Sequence, residues 1–230
     1  MPRDDGRVTA VIPVKDPDRH WLAWTLDSLN KQTEPVKEAI IVDSSEAPVS
    51  VSVDGLSTWV MHRPGTGIGE ARRFGVRAAS TEYVIEMDED AVLLRDDYLA
   101  RAIAELQKDD VAAAGGVVFP IRGNTVGKAI SLADRFNPSD LGTHYLVYRT
   151  MQKRDGDLYP VRHRGEDITV REELRDSGQI SRMTDQGVLK DLPTDRQQMG
   201  TDGLFTILSG AAAGVFASVV EDKLGEAVGL

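Results

Sequence analysis

The chain contains no cysteine. Disulfide scaffolds, thiolate metal sites and cysteine nucleophiles are thereby excluded, and the composition fits a reducing compartment. Basic residues are scarce: 27 Lys and Arg face 37 Asp and Glu, a formal net charge of −10. A protein that holds duplex nucleic acid by neutralising phosphates needs the opposite sign, so no nucleic-acid partner is expected. The four histidines, His20, His62, His144 and His163, lack zinc-ligand spacing. There is no Gly-x-Ser-x-Gly elbow, no His-Glu-x-x-His and no Walker loop. The opening Met-Pro-Arg-Asp-Asp-Gly-Arg is polar and has no secretory core, so a cytoplasmic location is expected. Leu204–Val220 is uncharged, yet it falls short of the ~20 residues that span a bilayer.

What is present is an alternation of apolar runs and helical patterns. Val8–Val14 is a strand with a proline near its end, where the ladder can spare a donor. About His20 to Lys31 is a helix with Leu22, Leu26 and Leu29 on one face. Strands follow at Glu38–Asp43, Thr58–His62, Tyr83–Met87 and Val111–Phe119, with helices at Gly67–Ser80 and Asp96–Gln107. Such alternation implies βαβ units, a mainly parallel sheet and right-handed crossovers. Residues 121–165 have no clear period and suit a substrate-facing segment better than a core. Ile168–Ser177 reads as a short helix stopped by Gly178. Asp outnumbers Glu and Arg outnumbers Lys, a balance resembling that of halophilic proteins; it bears on solubility rather than fold.

Tyr83–Asp90, Tyr-Val-Ile-Glu-Met-Asp-Glu-Asp, is the stretch with the most chemistry. A buried strand running into Asp88 and Asp90 incurs a desolvation cost unless a positive group neutralises the carboxylates. Two hard oxygen donors suit a divalent cation that also carries phosphates. Arg63-Pro-Gly-Thr-Gly-Ile-Gly-Glu-Ala-Arg-Arg superficially matches a dinucleotide fingerprint, but Glu70 stands where a glycine is needed. The glycines instead let a loop pass close to a nucleotide and open a helix at Gly67. Arg72 or Arg73 then faces a diphosphate; for Arg73 a solvated helix face is the preferred reading. Glu166-Asp167 precedes the short helix, either as a cap or as a general base for an attacking hydroxyl.

Taken together, five segments carry a resemblance. They are Val-Ile-Pro-Val-Lys-Asp at 11–16, Leu-Asp-Ser-Leu-Asn-Lys-Gln-Thr at 26–33 and Ile-Ile-Val-Asp-Ser-Ser at 40–45. Gly-Ile-Gly-Glu-Ala-Arg-Arg at 67–73 and Glu-Tyr-Val-Ile-Glu-Met-Asp-Glu-Asp at 82–90 complete them. In order and spacing they resemble the nucleotide-binding half of a family-2 glycosyltransferase. The resemblance implies a GT-A-like three-layer α/β/α sandwich with a mainly parallel central sheet. It implies one domain over 1–203, with a nucleotide-sugar half at about 7–120 and an acceptor half at 121–203. Residues 204–230 would add an apolar helix for an interface or a membrane surface.

The implied activity is metal-dependent, inverting transfer of a sugar from a nucleoside diphosphate to a glycan or lipid-linked hydroxyl. The resemblance puts Pro13, Val14, Asp43, Arg72, Asp88 and Glu166 at the substrates, with Asp43 at the nucleobase. It puts Mg2+ or Mn2+ on Asp88 and Asp90, and makes Asp167 the base. The usual Gly-Gly-Phe-Asp-Glu stretch and Gln-x-x-Arg-Trp are absent, which argues against a processive polysaccharide synthase. Two rivals share the fold: a non-catalytic sugar-nucleotide-binding protein, and a nucleotidyltransferase. The latter wants a basic glycine loop after the first strand, and Pro13-Val14-Lys15-Asp16 is not one.

Overall fold

A computed structural model describes residues 6–120 (backbone alone for 118–120), 145–150, 174 and 176–190. Nearly all of them belong to one compact unit, 1–117 with 141–188. In chain order the elements are β1 (Val8–Val14), α1 (Arg19–Asn30), β2 (Val36–Asp43), β3 (Thr58–His62), α2 (Ile68–Ala78) and β4 (Tyr83–Glu86). They continue as β5 (Ala91–Leu93), α3 (Tyr98–Leu106), β6 (Val111–Pro120), β7 (Val147–Arg149) and β8 (Gln179–Lys190). Every element read from the sequence up to Phe119 is present, with ends within two residues of the expected ones. Of the helix expected at Ile168–Ser177, Leu174, Asp176 and Ser177 are described and helical.

The sheet has eight strands in the order β3-β2-β1-β4-β7-β6-β8-β5. β3, β2, β1 and β4 run parallel, while β7 is antiparallel to both β4 and β6. From β1 the chain steps outward to β2 through α1, and from β3 it steps back across to β4 through α2. Right-handed crossovers in opposite directions put α1 and α2 on opposite faces, giving three layers. All seven residues of β1 are buried, as expected of a strand covered on both sides. Asp18 starts α1 by accepting from the amides of His20 and Trp21 at 2.8 and 3.3 Å.

Three strands were not legible in the sequence: β5, β7 and β8. Tyr145–Tyr148 is buried, so this part of 121–165 is core and not the substrate-facing segment expected there. A three-residue strand such as β7 is too short to display a period. The 12 residues of β8 mix buried and exposed positions without strict alternation.

The contact of α2 with β1 depends on Gly75. A Cβ there would lie 2.3 Å from Val11 Cγ1, inside the fully buried core. Gly75→Val is expected to cost about 1–3 kcal/mol by overpacking. Val11→Ala in the same chain should recover part of that loss in urea unfolding. A Gly75→Val protein as stable as the wild type would contradict this packing.

Candidate functional site

The site begins where β1 outruns β4. The last paired residues are Val11 and Glu86, and the Val11 carbonyl accepts the Met87 amide at 3.0 Å. Pro13, two residues on, points its nitrogen to the same side but past the end of β4, which is why a central strand tolerates it. Beyond this parting lies a cleft of about 300 Å³ lined by Pro13, Val14, Lys15, Ser44, Glu89 and the loop 65–68. It opens at the carboxyl ends of the parallel strands, where open α/β sheets take ligands. Gly65, at φ 74°, supplies the left-handed turn of that loop. The loop is fastened to the end of β2: the Arg63 amide donates to the Asp43 carbonyl at 2.6 Å, and the Gly65 amide to the Ser44 carbonyl at 3.2 Å. Gly67 begins α2 without a side-chain cap, leaving the first-turn amides of a helix at the cleft wall.

Asp43, expected at the nucleobase, has 0% exposure. Its Oδ1 accepts the Ser45 amide at 3.0 Å and its Oδ2 the Val49 amide at 2.8 Å. His62 Nε2 stands 3.9 Å from Oδ2. The carboxylate thus organises the turn after β2, and it is the next residue, Ser44, that lines the cleft. The Ser44 hydroxyl donates to the Val14 carbonyl at 2.9 Å, tying the two strand ends together.

Burial is the largest influence on the Asp43 carboxyl and raises its pKa. Hydrogen bonds from the Ser45 side chain and from the Val49 and Ser45 amides, with the nearby His62, together hold it below its ordinary value. A group depressed in the folded state stabilises the fold above its unfolded pKa, and that stabilisation is lost as pH falls through the folded-state value. Asp43→Asn should therefore cost about 1–3 kcal/mol at pH 7 and progressively less in acid, where the wild-type side chain is itself protonated. Urea midpoints at pH 7 and pH 3 check this; an equal loss at both would refute it.

Arg72, expected near a diphosphate, has its guanidinium inside the protein. It is fully buried, and Nη2 donates to Asp88 Oδ1 at 2.7 Å while Nε lies 3.8 Å from Glu86 Oε2. The positive group that the buried carboxylates require is thus supplied at least partly by the protein itself. Tyr148 of β7 donates its hydroxyl to Glu86 Oε1. Arg73 lies 3.6 Å from Glu70, one turn away. Asp88 is buried, whereas Glu89 and Asp90 are half-buried at the turn beyond β4. That turn is held from α1, where the Thr25 hydroxyl donates to the Glu89 carbonyl at 2.8 Å.

The donor set of this turn suits a divalent cation. Hard carboxylate oxygens follow one another at Asp88, Glu89 and Asp90. The buried Glu86 and Asp88 carboxylates lie beside Arg72 at the base of this turn. Among the described residues no three His, Asp or Glu side chains are gathered as a closed metal cage. Magnesium or manganese bound through one or two carboxylates, with phosphate oxygens completing the shell, needs none. Glu166 and Asp167 lie outside the described residues, as does Leu204–Val220. No helix among the described residues is long and apolar enough to cross a membrane. Sequence reasoning overlooked Lys15, Ser44 and Glu89 in the cleft, and Glu86 and Tyr148 behind it. Ser44 and Glu89 adjoin residues that were singled out, and that adjacency was the available signal.

The sequence model of glycosyl transferase family 2 matches residues 9–157. No curated protein sequence matches the chain. Among solved structures, Staphylococcus aureus TarS is similar with a TM-score of 0.64 at 18% identity, covering 81% of this chain and 37% of that one. TarS 1–349 in complex with UDP-GlcNAc gives 0.65 at 17% identity, over 91% of this chain and 66% of that one. The mannosyltransferase PcManGT from Pyrobaculum calidifontis, in complex with GDP-Man and Mn2+, gives 0.61 at 18% identity, over 93% and 75%. The chain therefore spans only about a third of full TarS. At these identities the likeness is one of fold: a GT-A fold with a mostly parallel central sheet and some antiparallel strands.

Proposed function

The chain belongs to glycosyl transferase family 2, and from that premise we propose that it moves a sugar from a nucleoside diphosphate to a hydroxyl of a glycan or lipid-linked acceptor. The observation that carries this reading is the cleft between the ends of β1 and β4, with Pro13 and Val14 at one wall and the acidic turn at another. Two neighbours were solved with nucleotide sugars, GDP-Man and UDP-GlcNAc, which supports a donor of that class.

In this reading the apolar edge of Pro13 and Val14 receives the base, and Asp43 acts by holding the 44–49 turn in place. Asp88 and Asp90 would hold Mg2+ or Mn2+, with Arg72 orienting Asp88 from behind. The bound cation would supply Lewis-acid compensation for charge on the departing diphosphate. Glu166 would meet the acceptor, and Asp167 would take the proton from its hydroxyl. Attack from the face opposite the leaving group inverts the anomeric carbon. The division into a donor half at 7–120, an acceptor half at 121–203 and an apolar appendage at 204–230 belongs to the same proposal, with the appendage meeting a membrane surface.

A panel of nucleotide sugars with manganese tests the reading by thermal shift. A ligand present at about 100 times its Kd adds about 2.7 kcal/mol, which raises Tm by roughly 5–10 °C for a chain of this size. At least one donor should do so with manganese and far less with a chelator. A flat response across uridine, guanosine, adenosine, cytidine and thymidine donors would remove the proposal.

A further inference from the structure

We propose that Tyr148 and Glu86 are positioning residues which, through Arg72, set how Asp88 is presented to a cation-bearing ligand. The proposal rests on the reading of the Asp88–Asp90 turn given above and assigns roles to two residues that reading leaves idle. Alternation along β4 and its exit puts Val84, Glu86 and Asp88 on one face. It is the α2 face, because Val11, which Gly75 of α2 approaches, is in register with Glu86. Arg72 enters this face from α2. Tyr148 enters from β7, where it pairs with Val84 and so stands diagonal to Glu86.

One guanidinium thus serves two carboxylates. The side chains of Arg72, Glu86 and Asp88 are 0%, 1% and 12% exposed, so water does little to settle the competition. Arg72 stands closer to Asp88, at 2.7 Å, than to Glu86, at 3.8 Å. The hydrogen bond from Tyr148 to Glu86 contributes to that bias. It disperses charge on Glu86, weakens that carboxylate's hold on the guanidinium and leaves Arg72 to orient Asp88. Without the phenol hydroxyl, Glu86 draws Arg72 toward itself and Asp88 loses its short, charge-assisted partner. Outer partners of metal ligands typically change metal affinity 10- to 100-fold when lost, and a residue this far out is expected at about tenfold.

Manganese(II) binding to the full chain, read by electron spin resonance of the free ion with UDP and in parallel with GDP, provides the test. Tyr148→Phe should weaken nucleotide-dependent manganese binding about tenfold while keeping the wild-type circular dichroism. The same change in a Glu86→Gln background should have little effect, because a neutral amide does not compete for Arg72. Equal affinities for wild type and Tyr148→Phe overturn the proposal alone. A tenfold loss in both backgrounds also overturns it, since the phenol would then act through packing. A wild type that binds neither nucleotide with manganese overturns the reading of the turn, and this proposal with it. Should the phenylalanine variant not fold, Arg72→Lys decides: it keeps the charge but loses the two-pronged geometry. Unchanged manganese affinity in that variant rejects the positioning role.

Discussion

Arg72→Met is expected to destabilise the fold by about 3–5 kcal/mol, the loss typical of removing one partner from a buried ion pair. Methionine fills much of the aliphatic volume, so the loss reports charge rather than a cavity. Glu86 and Asp88 then each lose the guanidinium that stands 3.8 Å and 2.7 Å from them. Both must stay charged at a high desolvation cost or bind protons. Adding Glu86→Gln should therefore restore part of the stability of Arg72→Met, since one buried negative charge is gone. Urea unfolding of the three proteins at pH 7 measures this. A deficit below about 1 kcal/mol for Arg72→Met would mean the pair is screened after all.

That prediction also marks the boundary of what the sequence discloses. The alternation of buried strands and helices up to Phe119 was legible because parallel strands covered on both faces read as nearly continuous apolar runs. The need for a positive group beside Asp88 was legible too, from the cost of burying a carboxylate at a strand end. Its source was not. Arg72 and Arg73 are adjacent on one helix, and the local pattern favours a solvated face for Arg73 without saying which groups Arg72 would meet. The packing of Gly75 on Val11, together with Ala71 on Ile40 and Val42, sets the rotation of α2 that sends Arg72 to Glu86 and Asp88.

Tyr148 was hidden for a different reason. It lies in a strand of three residues whose partners, Val84 and Ala113, are remote in sequence. No window along the chain contains both Tyr148 and Glu86. Asp43 shows a third limit: the family resemblance assigned it to the nucleobase, but residue type cannot tell a ligand-facing carboxylate from one bonded to its own turn. Ser44, one residue on, lines the cleft, while the Asp43 carboxylate accepts the amides of its own turn.

Asp167→Asn is expected to keep nucleotide-sugar and manganese binding yet to lose sugar transfer by roughly 10²-fold or more, the scale of general-base catalysis. The substitution is nearly isosteric and removes only the ability to accept a proton. If the residue begins a helix, as the sequence expectation for Ile168–Ser177 implies, the helix dipole favours its ionised form and weakens it as a base. The negative charge of a bound diphosphate pushes the other way. The balance is read from the pH profile of transfer: a rise through the pKa of Asp167 in wild type, absent from the residual activity of Asp167→Asn. Asp90→Ala separates this role from cation binding, because it should lose manganese-dependent donor affinity, which Asp167→Asn retains. Near wild-type transfer by Asp167→Asn would move the proton to Glu166, to be checked with Glu166→Gln. Wild type that binds donor and manganese but transfers nothing to any hydroxyl acceptor, water included, would favour the non-catalytic rival over the transferase.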